Sequence, residues 1–170
     1  MKKLKLSIIL LFVLFYNISY ASTKIDVLFS PNGGIENRIL QEIKLAKSEI
    51  LIQAYMFTNK VLVTEIINAK KRNIKIEIIL DKNNTTYRYS VLTTLINDQI
   101  IPYIDSKHSI AHDKIIMIDK LKVITGSYNY TKAAENRNGE NLLVIEDPSI
   151  CELYILNFEM HKEHSDLYRK

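Results

Sequence analysis

Three consecutive stretches decide the fold: Ile50 to Phe57 (ILIQAYMF), Val61 to Ala69 (VLVTEIINA) and Ile74 to Leu80 (IKIEIIL). The first and third are short apolar runs rich in β-branched and aromatic residues, which predicts strands. Between them, Val61 or Leu62, Ile66 and Ala69 recur at helical spacing. A strand, a helix and a strand in succession predict a crossover unit and a sheet with parallel strands. The unbroken runs of Ile and Leu predict strands buried on both faces.

The same alternation extends in both directions. Ile25 to Phe29, Ile101 to Ile104, Lys114 to Ile118, Lys122 to Thr125 and Leu142 to Ile145 read as further strands. Ile35, Ile39, Leu40, Ile43 and Ala46 read as a helix, as do Val91, Leu92, Leu95 and Ile96. Ser149 with Glu152 reads as a capping box opening a last helix through Leu153, Leu156 and Met160. Lys114 to Thr125 holds two strands separated only by a turn around Asp119 and Lys120, a hairpin pattern. The expected fold class is therefore α/β, an α-β-α sandwich with a mixed, largely parallel central sheet flanked by helices. A chain of 170 residues with scarce Pro and Gly, no linker and no repeat fits one catalytic-sized domain.

The first residues belong to a different class of segment. Lys2, Lys3 and Lys5 precede an apolar run from Leu6 to Ile18 that ends in Ser19-Tyr20-Ala21. A basic start, a short apolar stretch and a small-x-small site describe a secretory signal peptide over 1–21, followed by a mature domain over 22–170. An uncleaved anchor would need roughly 20 apolar residues to span a bilayer, more than this run supplies. The expected localisation is export, to the periplasm or the medium. Removing the leader changes the charge: 23 basic residues less three, against 19 acidic ones, leaves +1. Strong basicity is thus not a property of the mature chain, and phosphate affinity must come from local clusters such as Lys70-Lys71-Arg72 or Lys120 with Lys122. Cys151 is the only cysteine, so no internal disulfide exists, and its place in an amphipathic segment predicts a buried, inert thiol.

The chemistry concentrates between residues 112 and 129. Residues two apart share a face of a strand, so His112 and Lys114 project together while Asp113 points away. If the hairpin returns beside them, Gly126-Ser127-Tyr128-Asn129 arrives at the same strand end. Gly126 permits close backbone approach there, and Ser127 and Asn129 add polar side chains. An imidazole, an ammonium and an amide converging on one point make a phosphate site.

The pattern H-x-K-x-x-x-x-D, six residues, then G-S-x-N resembles the signature of the phospholipase D superfamily, the HKD motif. Phe29-Ser30-Pro31 with Gly33-Gly34, Ala54 to Thr58, Ala69 to Asp81 and Asn138 to Ile145 are similar to the small bacterial nuclease branch, so the resemblance covers the whole mature chain. It implies the phospholipase D/nuclease fold and a two-step phosphodiesterase. His112 is then the nucleophile that forms a phosphohistidine. Glu140 is the carboxylate that orients its ring. Lys114 and Asn129 hold the non-bridging oxygens, supported by Ser127. Asp119, at the hairpin turn, reads as structural.

The leaving oxygen needs a general acid, and a single motif does not supply one. His108, His161 and His164 have no lysine two places on. The resemblance therefore implies a homodimer with His112 of both copies facing each other across the twofold axis. No metal or other cofactor is expected in the chemistry, since Lys114 and an imidazolium fill that role. His161-x-x-His164, with Glu163, reads as a solvated helix face rather than a ligand pair. Two substrate classes fit: nucleic acid cut without base readout, DNA first and then RNA, or a membrane phospholipid such as phosphatidylcholine. Nucleic acid is favoured because no long apolar inserted loop is evident.

Overall fold

The structure, a computed structural model, describes residues 22–169; the leader read at 1–21 lies outside the described residues. The strands are β1 (Lys24–Ser30), β2 (Glu49–Ala54), β3 (Lys75–Asp81), β4 (Tyr103–Asp105), β5 (Lys114–Ile118), β6 (Lys122–Gly126), β7 (Glu140–Glu146) and β8 (Asp166–Leu167). The helices are α1 (Ile35–Leu45), α2 (Lys60–Lys71), α3 (Leu92–Asn97), α4 (Lys132–Asn136) and α5 (Pro148–Glu163). All eight strands form one sheet in the order β1-β7-β6-β5-β2-β3-β4-β8.

Alternation along the strands splits the core into two layers. Ile50, Ile52, Ile78, Leu80, Ile116, Ile118 and Ile124 point to one face, where α1 and α2 bury Ile35, Ile39, Ile43, Leu62 and Ile66. Leu51, Ile79, Ile115, Met117 and Val123 point to the other, against Cys151 and Phe158 of α5. Leu62, not Val61, is the buried member of the α2 stripe. Asn59 starts that helix by accepting the N–H groups of Val61 and Leu62 with Oδ1.

The sheet is mixed, but it is not largely parallel. Parallel pairing is confined to β2–β3 and β3–β4, and the other five ladders are antiparallel. The reason is non-local. β1 and β2 run the same way, as the α1 crossover requires, yet β7, β6 and β5 fill the space between them. A meander from the second half of the chain thus separates two strands whose direction the crossover fixes but whose contact it does not.

Helix α5 also starts differently from its capping-box reading. Asp147 is the cap, accepting from the N–H groups of Ser149 and Ile150, and Pro148 takes the first helical position, where a missing N–H costs nothing. Cys151 is fully buried and its thiol is pushed up to about 11, by burial first and by Glu49 second. Among the described residues no helix is long and apolar enough to cross a membrane.

Candidate active site

One end of the sheet gathers the C-terminal ends of β2, β3, β4 and β6 with the start of β5 and β7. His112 sits two residues before Lys114, where β5 enters the ladder opposite Ala54. The Tyr55 N–H donates to Asp113 O at 2.9 Å, which extends that ladder by one step and fixes the backbone on which His112 stands. His112 is exposed, while Lys114 is buried. The Tyr55 ring lies 4.5 Å from the His112 ring, centroid to centroid. The Lys114 ammonium stands 5.2 Å from the centre of the same Tyr55 ring and donates to His112 O at 2.7 Å. Tyr55 thus supports both members of the motif, a role that its sequence context does not signal.

Lys114 carries its charge at a cost. Burial lowers its pKa below that of an ordinary lysine, with Asp113 and Glu140 pulling the other way. An ammonium held in that state is primed to gain from an anion placed beside it.

The second half of the motif arrives as the spacing predicts. The Gly126 backbone passes so close to β7 that an added Cβ would stand 2.3 Å from Asn141 O, which only glycine avoids. The Ser127 N–H donates to that same oxygen at 3.2 Å. The Ser127 hydroxyl donates to Glu140 Oε2 at 2.6 Å and accepts the Asn141 N–H at 3.1 Å. Asn138 donates to the other oxygen, Glu140 Oε1, at 3.1 Å. Ser127 and Asn138 thus fix both oxygens of Glu140. The chain then runs beside the segment after β2: Tyr130 N–H donates to Met56 O, and Thr58 N–H to Tyr130 O. Asn129, just before that bridge, buries its carbonyl oxygen Oδ1 with no hydrogen-bond partner among the described residues.

Asp119 stands at the far end of the same strand. Both it and Lys120 take the left-handed conformation of a tight hairpin, φ 55° at each, which Asp tolerates better than most residues. Its carboxylate accepts the N–H groups of Lys47 at 2.9 Å, Ser48 at 2.7 Å and Glu49 at 3.1 Å, and the Ser48 hydroxyl at 2.8 Å. Burial raises its pKa, but these donors outweigh burial and hold it below the ordinary carboxylate value. It ties the hairpin to the loop between α1 and β2.

The basic clusters singled out in the sequence lie elsewhere. Lys70 donates to Asp98 O and Gln99 O, Arg72 to Ile43 O, and Lys122 pairs with Glu42 and Glu146. Exposed basic residues on the segments that leave this end of the sheet are instead Lys60, Arg88, Lys107, Lys132 and Arg137. His112, Lys114 and Gly126 open onto a cleft of about 410 Å³ whose other wall is Leu153, Tyr154 and Asn157 of α5. His161 and His164 do not form a solvated face; both turn inward to Asp105.

With the fold and site in view, the comparisons with known proteins agree. The family model for the PLD-like domain of cardiolipin synthase matches residues 39–162. The chain belongs to the phospholipase D superfamily, and its activity class is cleavage of phosphodiesters. Among named relatives, the phospholipase D of Rickettsia conorii is 42% identical over 144 residues, covering 84% of this chain and 72% of that protein. That of Rickettsia prowazekii is 39% identical over 153 residues, 89% of this chain and 75% of its own length. Among solved structures, Nuc from Salmonella typhimurium, a phospholipase D family member, superposes with a TM-score of 0.82 at 34% identity, covering 88% of this chain and 100% of that one.

Proposed function

We propose that this chain is an exported nuclease that cuts DNA, and RNA, without base readout, working as a symmetric homodimer. One ring nitrogen of His112 attacks phosphorus, forming a P–N bond as the P–O bond to the leaving group breaks. The leaving oxygen takes a proton from the imidazolium of His112 in the second copy. That imidazole then removes a proton from water, which attacks phosphorus, breaks the P–N bond and returns both histidines to their starting states. Lys114 and the Asn129 amide meet the charge on the non-bridging oxygens. Glu140, positioned by Ser127 and Asn138, accepts from the ring nitrogen not bonded to phosphorus.

The observation that favours nucleic acid is the loop between the Lys82–Thr85 turn and α3. Tyr87 and Tyr89 are exposed and flank Arg88, whose guanidinium lies 5.7 Å from the Tyr89 ring centre. Asn84 donates to Tyr55 O at 2.6 Å and the Val91 N–H to Phe57 O at 3.1 Å, fastening this loop to the segment beside His112. Aromatic faces beside a cation suit unpaired bases and phosphate, at about 1–3 kcal/mol per stacked base. Together with Lys60, Lys107, Lys132 and Arg137, the loop supplies the basic rim that the net charge conceals.

A second reading, a phospholipase D acting on lipid, is supported by the names of the Rickettsia relatives and by the exposed Leu153 on the cleft wall. Plasmid nicking and hydrolysis of phosphatidylcholine vesicles by the same mature protein separate the two, with His112→Ala as control. Nicking with no lipid turnover supports the nuclease reading. Lipid turnover with intact plasmid overturns it. A fully active monomer by light scattering overturns the shared site.

A further inference from the structure

Four side chains of metal-binding type converge outside the active site. His108 Nδ1, His161 Nδ1 and His164 Nε2 lie 2.8, 3.3 and 3.3 Å from a single oxygen, Asp105 Oδ2. The ligand atoms of all four residues fall within 4.8 Å of one another. His161 and His164 lie three residues apart at the C-terminal end of α5, and Asp105 and His108 come from the end of β4 and the loop after it. The carboxylate is pinned from behind, because Asp105 Oδ1 accepts the N–H groups of Lys107 at 3.0 Å and His108 at 3.2 Å. Only Oδ2 is left to face the rings. The Asp105 side chain is fully buried and that of His108 is 44% exposed, so the cluster is closed within and reachable from one side.

Hydrogen bonding alone accounts poorly for three imidazoles on one buried oxygen. The ring centroids stand only 4.8, 5.0 and 5.3 Å apart. A neutral imidazole donates one N–H, but three such donors exceed the two lone-pair sites of a single carboxylate oxygen. A divalent ion removes the conflict, since Zn²⁺ takes neutral imidazole nitrogens and a carboxylate oxygen tetrahedrally at about 2.0–2.2 Å. Such a shell sets ligand atoms roughly 3.3 Å apart, so the widest separation of 4.8 Å must contract by about 1.5 Å. The backbone amides on Oδ1 are the outer-shell support that such ligands need.

We infer that Asp105, His108, His161 and His164 form a structural Zn²⁺ site, which fastens the loop leading to His112 onto the end of α5. Four protein ligands leave no open position, so the ion takes no part in phosphodiester cleavage. The loop is already held at two other points: Lys82 Nζ donates to His108 O at 2.9 Å, and the Ala111 N–H to Asp81 Oδ2 at 2.7 Å. Behind it, His161 borders a small void with Asp113 and Gln53, and both polar atoms of the Gln53 amide are buried without a partner among the described residues. The ion is thus placed to set the stiffness of the segment that carries His112.

The test uses the mature protein, stripped with a chelator and titrated with Zn²⁺ by calorimetry and with Co²⁺ by visible absorbance. One equivalent should bind per chain, with the intense d–d bands of a tetrahedral cobalt site, and Zn²⁺ should raise the melting temperature. His161→Ala/His164→Ala should weaken binding by more than about 100-fold, beyond the cost of losing an outer-shell partner, and should abolish the thermal shift. His112→Ala should bind normally. If the double variant does not fold, His108→Asn on the exposed loop carries the same test. Failure of the wild type to bind at micromolar free Zn²⁺, or full binding by a folded ligand variant, overturns the assignment.

Discussion

Replacing Asp119 by alanine should unfold this protein at a lower temperature while leaving its chemistry intact, although Asp119 belongs to the family motif. Five residues of strand separate it from Lys114, about 16 Å at ~3.3 Å per residue, so no substrate atom at His112 reaches it. What it holds is the loop between α1 and β2, through three backbone N–H groups and one hydroxyl. Hydrogen bonds to an ionised acceptor are worth about 1.5–3 kcal/mol each when their loss strands a donor. Here the donors lie at the end of the sheet, where water can replace the carboxylate, so roughly 0.5–1 kcal/mol each is the fair figure. Four bonds then make about 2–4 kcal/mol, or roughly 5–15 °C in Tm for a domain of this size. Asp119→Asn keeps one acceptor oxygen and should lose about half as much. The pH dependence carries the same sign. A carboxyl with a lowered folded pKa contributes stability above its unfolded value, near 3.9, and that stability is lost as pH falls through the folded value. The wild type should therefore lose its advantage over Asp119→Asn on acidification below pH ~4. Urea or thermal melts, paired with phosphodiesterase rates at 20 °C, decide the matter. An Asp119→Ala protein that melts like the wild type but has lost turnover would refute the assignment of this residue to the hairpin.

Other outcomes follow from the same geometry. His112→Ala should abolish turnover with a nearly unchanged melting curve, because the ring is exposed and packs against the half-buried Tyr55 ring. Lys114→Met should keep or slightly raise stability, since a buried ammonium is replaced by an apolar chain, yet lower the rate by at least about 10²-fold; a large loss of stability would contradict the burial cost. In the wild type the lowered Lys114 pKa predicts opposite alkaline trends. Activity should fall as the amine deprotonates, while the Lys114 contribution to stability rises with pH between its folded value and the unfolded value near 10.4, because the unfolded chain there binds more protons. Gly126→Ala should cost about 1–3 kcal/mol through overpacking against Asn141 O, and should reduce activity by displacing Ser127 and Glu140, both measurable on one preparation. Tyr87→Ala with Tyr89→Ala should raise KM for single-stranded DNA more than it lowers kcat, and equal losses in both would detach this loop from substrate binding.

The parts of the site legible in the sequence are those whose geometry is local. His112 and Lys114 share a face because they stand two apart on a strand, and the hairpin that brings Gly126 and Ser127 back is signalled by a short turn between apolar runs. Glu140 was legible only through its resemblance to a family, because a carboxylate in a loop carries no local mark of what it will touch. Tyr55 beside His112, and His161 and His164 beside Asp105, were hidden for the same reason in stronger form: these partners lie more than fifty residues apart, and no periodicity records a contact of that range. Sheet order carries no local mark either. A crossover helix dictates that β1 and β2 run the same way, but not that they touch, and the β5-β6-β7 meander occupies the gap. The five-residue α4 fell below the length at which a helical stripe can be read. Intercalation of that meander is also what makes the site. It sets the start of β5 beside the end of β2 and the end of β6 beside the start of β7, so His112, Lys114 and the G-S-x-N segment meet at one end of the sheet. The strand order that the sequence pattern leaves open is thus what brings the two halves of the motif together.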